Sequence, residues 1–171
     1  MKRRFRPLGV LDAHRTDIKK ATDVVHTMAP PGVGDSLVRT ITEEGEFSWE
    51  RCLAASEQRL LVVDCHQDWC GRCETLQPTF QRISLETVDS ENRCLFLEAN
   101  LDKFADHIQA HLPKDSPINL SAHGCMPFTV LIKGGAAVAT IRGCDAPAIL
   151  REVTKHMPPQ RTSDDKDAEP E

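Results

Sequence analysis

Apolar positions along this chain fall into two kinds of run. Unbroken apolar stretches occur at Leu60-Leu61-Val62-Val63, Cys94-Leu95-Phe96-Leu97 and Phe128 to Ile132. Their length and β-branched content predict buried strands. Leu37-Val38-Arg39-Thr40-Ile41 predicts a first strand, and Ala137 to Ile141 a last one, joined to Phe128–Ile132 through a Gly134-Gly135 hairpin. Asp64 is expected to end the second strand. Between these runs the apolar residues recur at helical spacing. Phe47 to Ser56 points Trp49, Cys52 and Leu53 inward; Glu74 to Val88 does so with Leu76, Phe80 and Ile83. Asp102 to Leu112 predicts a third helix. In the last, Asp145 serves as N-cap, Pro147 lies in the first turn, and Ile149, Leu150, Val153 and Met157 face the sheet. The predicted order is β-α-β-α-β-α-β-β-α, with no internal repeat.

Trp69-Cys70-Gly71-Arg72-Cys73 sits where the second strand passes into the second helix. Two thiols one helical turn apart suit reversible dithiol/disulfide chemistry. Cys70 is expected at a helix N-terminus, where the dipole and unpaired N–H groups stabilise a thiolate. Cys73 then lies within reach to resolve a mixed disulfide on Cys70.

Around this motif the chain resembles thioredoxin, of the eukaryotic type, over roughly residues 36–157. Asp64, six residues before Cys70, matches the family's buried acid. Pro78 matches the proline that kinks the active-site helix, and Met126-Pro127 the cis-proline loop that holds the substrate chain. Gly134-Gly135 and Gly143 match the last hairpin and the glycine that lets partners approach. The resemblance implies a thioredoxin fold, an α/β domain with a central mixed sheet flanked by helices. It implies Cys70 as nucleophile, Cys73 as resolving thiol, Asp64 in proton transfer and Pro127 in the substrate groove. Trp69, Gly71, Arg72, Met126 and Gly143 would line the substrate. No cofactor is implied beyond a redox-active Cys70–Cys73 disulfide. Partners would be protein disulfides and a thioredoxin reductase-type donor.

Three departures matter. Arg72 stands in the usual Cys-Gly-Pro-Cys, and its charge favours the Cys70 thiolate and so a more oxidising disulfide. Glu98 takes the place of the lysine that usually pairs with the buried acid, and should push the Asp64 pKa up. Cys65 and His66 replace bulky apolar residues. A second resemblance lies in Ile141-Arg142-Gly143-Cys144-Asp145-Ala146-Pro147, which is similar to a stretch in the thioredoxin-type light chains of ciliary outer-arm dynein, with Asp145 in place of asparagine.

Composition places the motif in context. The chain has 171 residues, 40% hydrophobic and 27% charged, with a net charge of -5. One domain with polar extensions fits, and general nucleic-acid binding does not. No run is long enough to span a bilayer. Residues 1–35 form a basic arm; residues 1–34 carry seven Lys/Arg against three Asp. Residues 158–171 form an acidic tail expected to be disordered. The start, Met1-Lys2-Arg3-Arg4, lacks a following apolar stretch, which argues against a secretory signal and for the cytoplasm; the resemblance to dynein light chains implies a cilium or flagellum as a specific site. A mitochondrial transit peptide is the weaker reading, since serines are few and acids interrupt the arm. Thr16 to Met28 predicts a short amphipathic helix that either folds back or docks on a partner; Pro30-Pro31-Gly32-Val33-Gly34 is its linker. Residues 113–124, broken by Pro113 and Pro117, lengthen the approach to Pro127, either as a surface insertion or as a partner surface.

Of the seven cysteines, Cys52 and Cys94 lie in apolar stripes and read as core. Cys65 reads as buried but near the dithiol. Cys125 reads as exposed and open to oxidation or an intermolecular disulfide, and Cys144 as a weaker candidate for the same. A zinc site from Cys65, Cys70, Cys73, His123 and Cys125 competes with redox chemistry, but there is no second Cys-x-x-Cys. His107 and His111 lie one turn apart without a third ligand. Two functions remain: a thiol-disulfide oxidoreductase, and a thioredoxin-like subunit of a larger assembly such as an axonemal dynein. The assembly would bind through the basic arm or residues 113–124.

Overall fold

The structure, a computed structural model, describes residues 37–70, 73–114, 116, 118, 120 and 127–160. Five strands form one mixed sheet: β1 (Arg39–Thr40), β2 (Leu60–His66), β3 (Cys94–Asn100), β4 (Phe128–Lys133) and β5 (Ala136–Arg142), in the order β1-β3-β2-β4-β5. β1 and β2 both run parallel to β3, whereas β4 runs antiparallel to β2 and β5. The hydrophobic strand β2 therefore has a hydrogen-bonded neighbour on each side. All of its residues but His66 are buried.

Alternation along the strands divides the core in two. Leu61, Val63, Cys65, Leu97 and Val130 face one side, against Trp49 and Cys52 of α1 (Trp49–Ala55) and Phe104 and Ile108 of α4 (Leu101–His111). Leu60, Val62, Phe96 and Leu131 face the other. There they meet Phe80 and Ile83 of α2 (Gln77–Glu86) and Ile149 and Val153 of α5 (Ala146–His156). Trp49 also packs its ring against His107 and His111, and His111 Nδ1 lies 2.8 Å from the Gly135 carbonyl. These two histidines are packing residues of α4. Among the described residues, no helix is long and apolar enough to cross a membrane.

Several boundaries differ from the sequence expectation, each for a local reason. Asp64 does not end β2. The strand continues to His66 because Asp64 and Cys65 pair with Glu98 and Ala99 on one side and Thr129 and Phe128 on the other. The first strand pairs only at Arg39 and Thr40, followed by Ile41 N–H donating to the Glu98 carbonyl. The second helix opens as a 3₁₀ turn, Glu74–Leu76, and becomes α-helical at Gln77. Pro78, in the first turn of α2, has no N–H to give the Glu74 carbonyl, so the chain enters through the tighter turn. The far end stops at Glu86, and a short α3 (Ser90–Arg93), absent from the predicted order, follows Asp89 at φ 57°. Gly134 and Gly135 have φ 59° and 72°, the left-handed pair a two-residue hairpin needs. Asp145 caps α5 as expected, its Oδ1 accepting from Ala148 N–H at 3.0 Å.

Residues 113–124 are not purely a surface insertion. Ile118 is buried and joins the core with Leu112, and Leu120 packs against it. The arm helix at residues 16–28, its linker and the tail from residue 161 lie outside the described residues.

Candidate functional site

The site lies at the C-terminal end of β2. Beyond His66 the chain turns through Asp68-Trp69-Cys70, and Cys70 N–H donates to the Gln67 carbonyl at 3.2 Å. Cys70 Sγ lies 3.4 Å from the same carbonyl. The Trp69 side chain is 67% exposed, an apolar surface beside the thiol. Two contacts that sequence reading missed pin this turn. Asp68 N–H donates to Asp102 Oδ2 at 2.9 Å, and Asn100 Nδ2 donates to Asp68 Oδ1 at 3.2 Å. Asn100 is also the N-cap of α4, accepting from Asp102 N–H. The Asn-Leu-Asp at the start of that helix was the available signal.

Cys73, rather than Cys70, stands at the helix entry. It is the N-cap residue of the 3₁₀ turn, with Leu76 N–H donating to its carbonyl at 3.1 Å. The delayed helix start at Pro78 is the cause. Cys70 and Cys73 are both thiols. Gly71 and Arg72 between them lie outside the described residues, as do Cys125 and Met126 of the expected substrate loop, and His123.

Asp64 lies directly beneath. Its carboxyl is 2% exposed, and Oδ2 accepts the Cys73 N–H at 3.3 Å. Oδ1 has no hydrogen-bond partner among the described residues. Burial pushes the Asp64 pKa up to about 6; the Cys73 N–H and nearby His66 oppose the rise, and Glu98 adds to it. Glu98 is itself buried and sits beside Asp64 in the β2–β3 register, with Thr40 Oγ1 donating to its Oε1. The expected effect of Glu98 on Asp64 therefore has the right sign, but desolvation dominates it. Thr129, fully buried, is opposite Asp64 on β4.

Cys65 turns the other way. It belongs to the opposite side of the sheet from Asp64, is fully buried, and burial raises its thiol pKa well above the ordinary value. Cys52 and Cys94 are pushed up to about 12 by burial. All three are poor nucleophiles and core residues. Cys65 thus lies on the face away from the dithiol; His123 and Cys125, the other members of the competing zinc set, lie outside the described residues, among which no cluster of metal-ligating side chains forms.

Pro127 and Gly143 close the other side. Gly143 has φ 68°, and its N–H donates to the Pro127 carbonyl at 2.7 Å. Cys144, next in the chain, brings its Sγ to 2.9 Å from Cys73 Sγ. Sequence reading ranked Cys144 as a minor oxidation site and placed no partner beside it. The contact joins residues 71 positions apart, which periodicity does not reveal.

Comparison with known proteins agrees with this fold. The 16 kDa light chain of the flagellar outer-arm dynein of Chlamydomonas reinhardtii is 33% identical over 113 residues, covering 65% of each chain. Thioredoxin-T of Drosophila melanogaster is 29% identical over 104 residues, covering 61% of this chain and 58% of its own. The chain thus spans under two thirds of the length of either relative. The crystal structure of thioredoxin NaTrxh from Nicotiana alata superposes with a TM-score of 0.51 over 77% of this chain and 99% of that one, at 22% identity, a likeness of fold. The family model for thioredoxin matches residues 39–155, from the first strand to the last helix, and the chain belongs to the thioredoxin family.

Proposed function

We propose that the protein is a thiol-disulfide exchanger acting through Cys70 and Cys73 on protein disulfides, with electrons returned by a thioredoxin reductase-type donor. The observation that carries this reading is the Cys73 N–H bound to a buried Asp64 whose pKa lies at about 6. A carboxyl poised near neutrality under the resolving cysteine is the equipment for moving that cysteine's proton. In the forward direction the Cys70 thiolate attacks one sulfur of the substrate disulfide, and the other leaves as a thiolate. Asp64 takes the Cys73 proton. Cys73 then attacks Cys70 Sγ, releases the second substrate thiolate and leaves a Cys70–Cys73 disulfide. The family resemblance assigns Trp69, Gly71, Arg72, Met126, Pro127 and Gly143 to the substrate groove, and the exposure of Trp69 supports this.

The direct assay is insulin disulfide reduction with dithiothreitol as reductant. The wild type should accelerate it, and Cys70→Ser should abolish the acceleration. A wild type no faster than dithiothreitol alone would sink the reading.

A second reading has its own support: the likeness to a flagellar dynein light chain, together with Ile141–Pro147. In it the domain is a subunit of an axonemal assembly, held through residues 1–35 or 113–124, and the dithiol senses redox state. The cilium or flagellum is then its place of work. Both readings hold together if a docked subunit also exchanges disulfides.

A further inference from the structure

We propose that Cys144 is a third exchange thiol, and that Cys73 has two alternative disulfide partners, Cys70 and Cys144. The inference rests on the exchange function proposed above and adds a regulatory thiol to the same site.

The two sulfurs are 2.9 Å apart, closer than an unbonded sulfur pair normally packs. Both backbones are pinned from two sides. Cys73 is held by its N–H on Asp64 Oδ2 and by its carbonyl, which accepts from Leu76. Cys144 lies between Gly143, fixed in the left-handed region by its bond to the Pro127 carbonyl, and the Asp145 cap of α5. Its own carbonyl accepts from Ala146 N–H at 3.0 Å. The approach is therefore set by five separate hydrogen bonds around the two residues rather than by a loose side chain. A disulfide of about 2.05 Å is within reach of small side-chain torsions. Cys144 is exposed, so its sulfur is accessible from solvent.

The step needs no outside oxidant. In the oxidised protein the Cys144 thiolate attacks Cys73 Sγ. The Cys70–Cys73 bond breaks, a Cys73–Cys144 bond forms, and Cys70 leaves as a thiolate. Cys144 has given a proton to water and Cys70 takes one back; the two oxidising equivalents stay in the protein. The consequence is specific. Cys70 becomes a nucleophile again while its resolving thiol is tied up. A partner then captured on Cys70 stays attached until Cys73–Cys144 is reduced.

Disulfide mapping tests this. Full-length wild type, Cys70→Ser and Cys70→Ser/Cys144→Ser are equilibrated in oxidising glutathione buffer, quenched in acid, alkylated, digested and read by mass spectrometry. The proposal expects Cys70→Ser to lose two alkylatable thiols and yield a Cys73–Cys144 cross-linked peptide, which the second substitution removes. The same peptide is expected from wild type beside Cys70–Cys73, so the reading survives a poorly folding variant. Absence of that peptide from both proteins, or a Cys73–Cys125 link in its place, overturns it. If wild type forms Cys70–Cys73 and reduces insulin while the Cys73–Cys144 peptide is missing, only this inference fails. If the peptide is present but insulin reduction is not accelerated, the linkage stands and the exchange function falls.

Discussion

Asp64 concentrates the electrostatic cost of this site. Its pKa rises from an ordinary 3.8 to about 6 because burial strips water from the carboxylate, with Glu98 alongside. A carboxyl that holds its proton more tightly when folded favours the folded state at low pH. That stability is present below pH 3.8 and lost as the pH rises through about 6. Two units correspond to about 3 kcal/mol. Asp64→Asn should therefore stabilise the protein at pH 7 by about 1–3 kcal/mol in urea unfolding, and by little or nothing near pH 4. An equal effect at both values would contradict a raised pKa. The pressure from Glu98 was legible in the sequence as a missing lysine; its rank below desolvation was not, because burial depends on which strands flank β2. Arg72 is a separate matter of charge beside Cys70. Arg72→Pro should lower the reduction potential by on the order of 30 mV in a glutathione titration, and no change or a rise would remove its proposed role.

Among the elements, helix and strand identities could be read from hydrophobic period, but ends were set by tertiary pairing and by proline. β2 runs past a charged residue because two neighbours supply its hydrogen bonds. The active-site helix starts late because Pro78 forbids an earlier α turn. That delay puts Cys73 at the cap and leaves Cys70 in the preceding turn, a placement that spacing alone assigned the other way. The segment after α4 is the instructive case. Its prolines suggested a surface excursion, yet Ile118 is 7% exposed and joins the core. Ile118→Ala should then cost about 2–4 kcal/mol in denaturant unfolding. A cost below about 0.5 kcal/mol would return the segment to the surface.

At the scale of the whole molecule, one sheet brings together residues from distant parts of the chain: Asp64 from β2, Cys73 from the helix entry, Pro127 before β4, and Gly143 and Cys144 after β5. The family resemblance announced four of these, because they stand at family landmarks. The fifth had no landmark and needed the fold. The account's central claim is that this assembly of residues exchanges disulfides through Cys70. Mixed-disulfide trapping tests it most directly. Cys73→Ser, exposed to native cell extract beside Cys70→Ser/Cys73→Ser, lacks the thiol that would release a substrate. The account predicts proteins bound covalently to the single variant alone and freed by reductant. Proteins held equally by both variants, with none released by reductant, would contradict it and leave a docked subunit whose dithiol does no exchange.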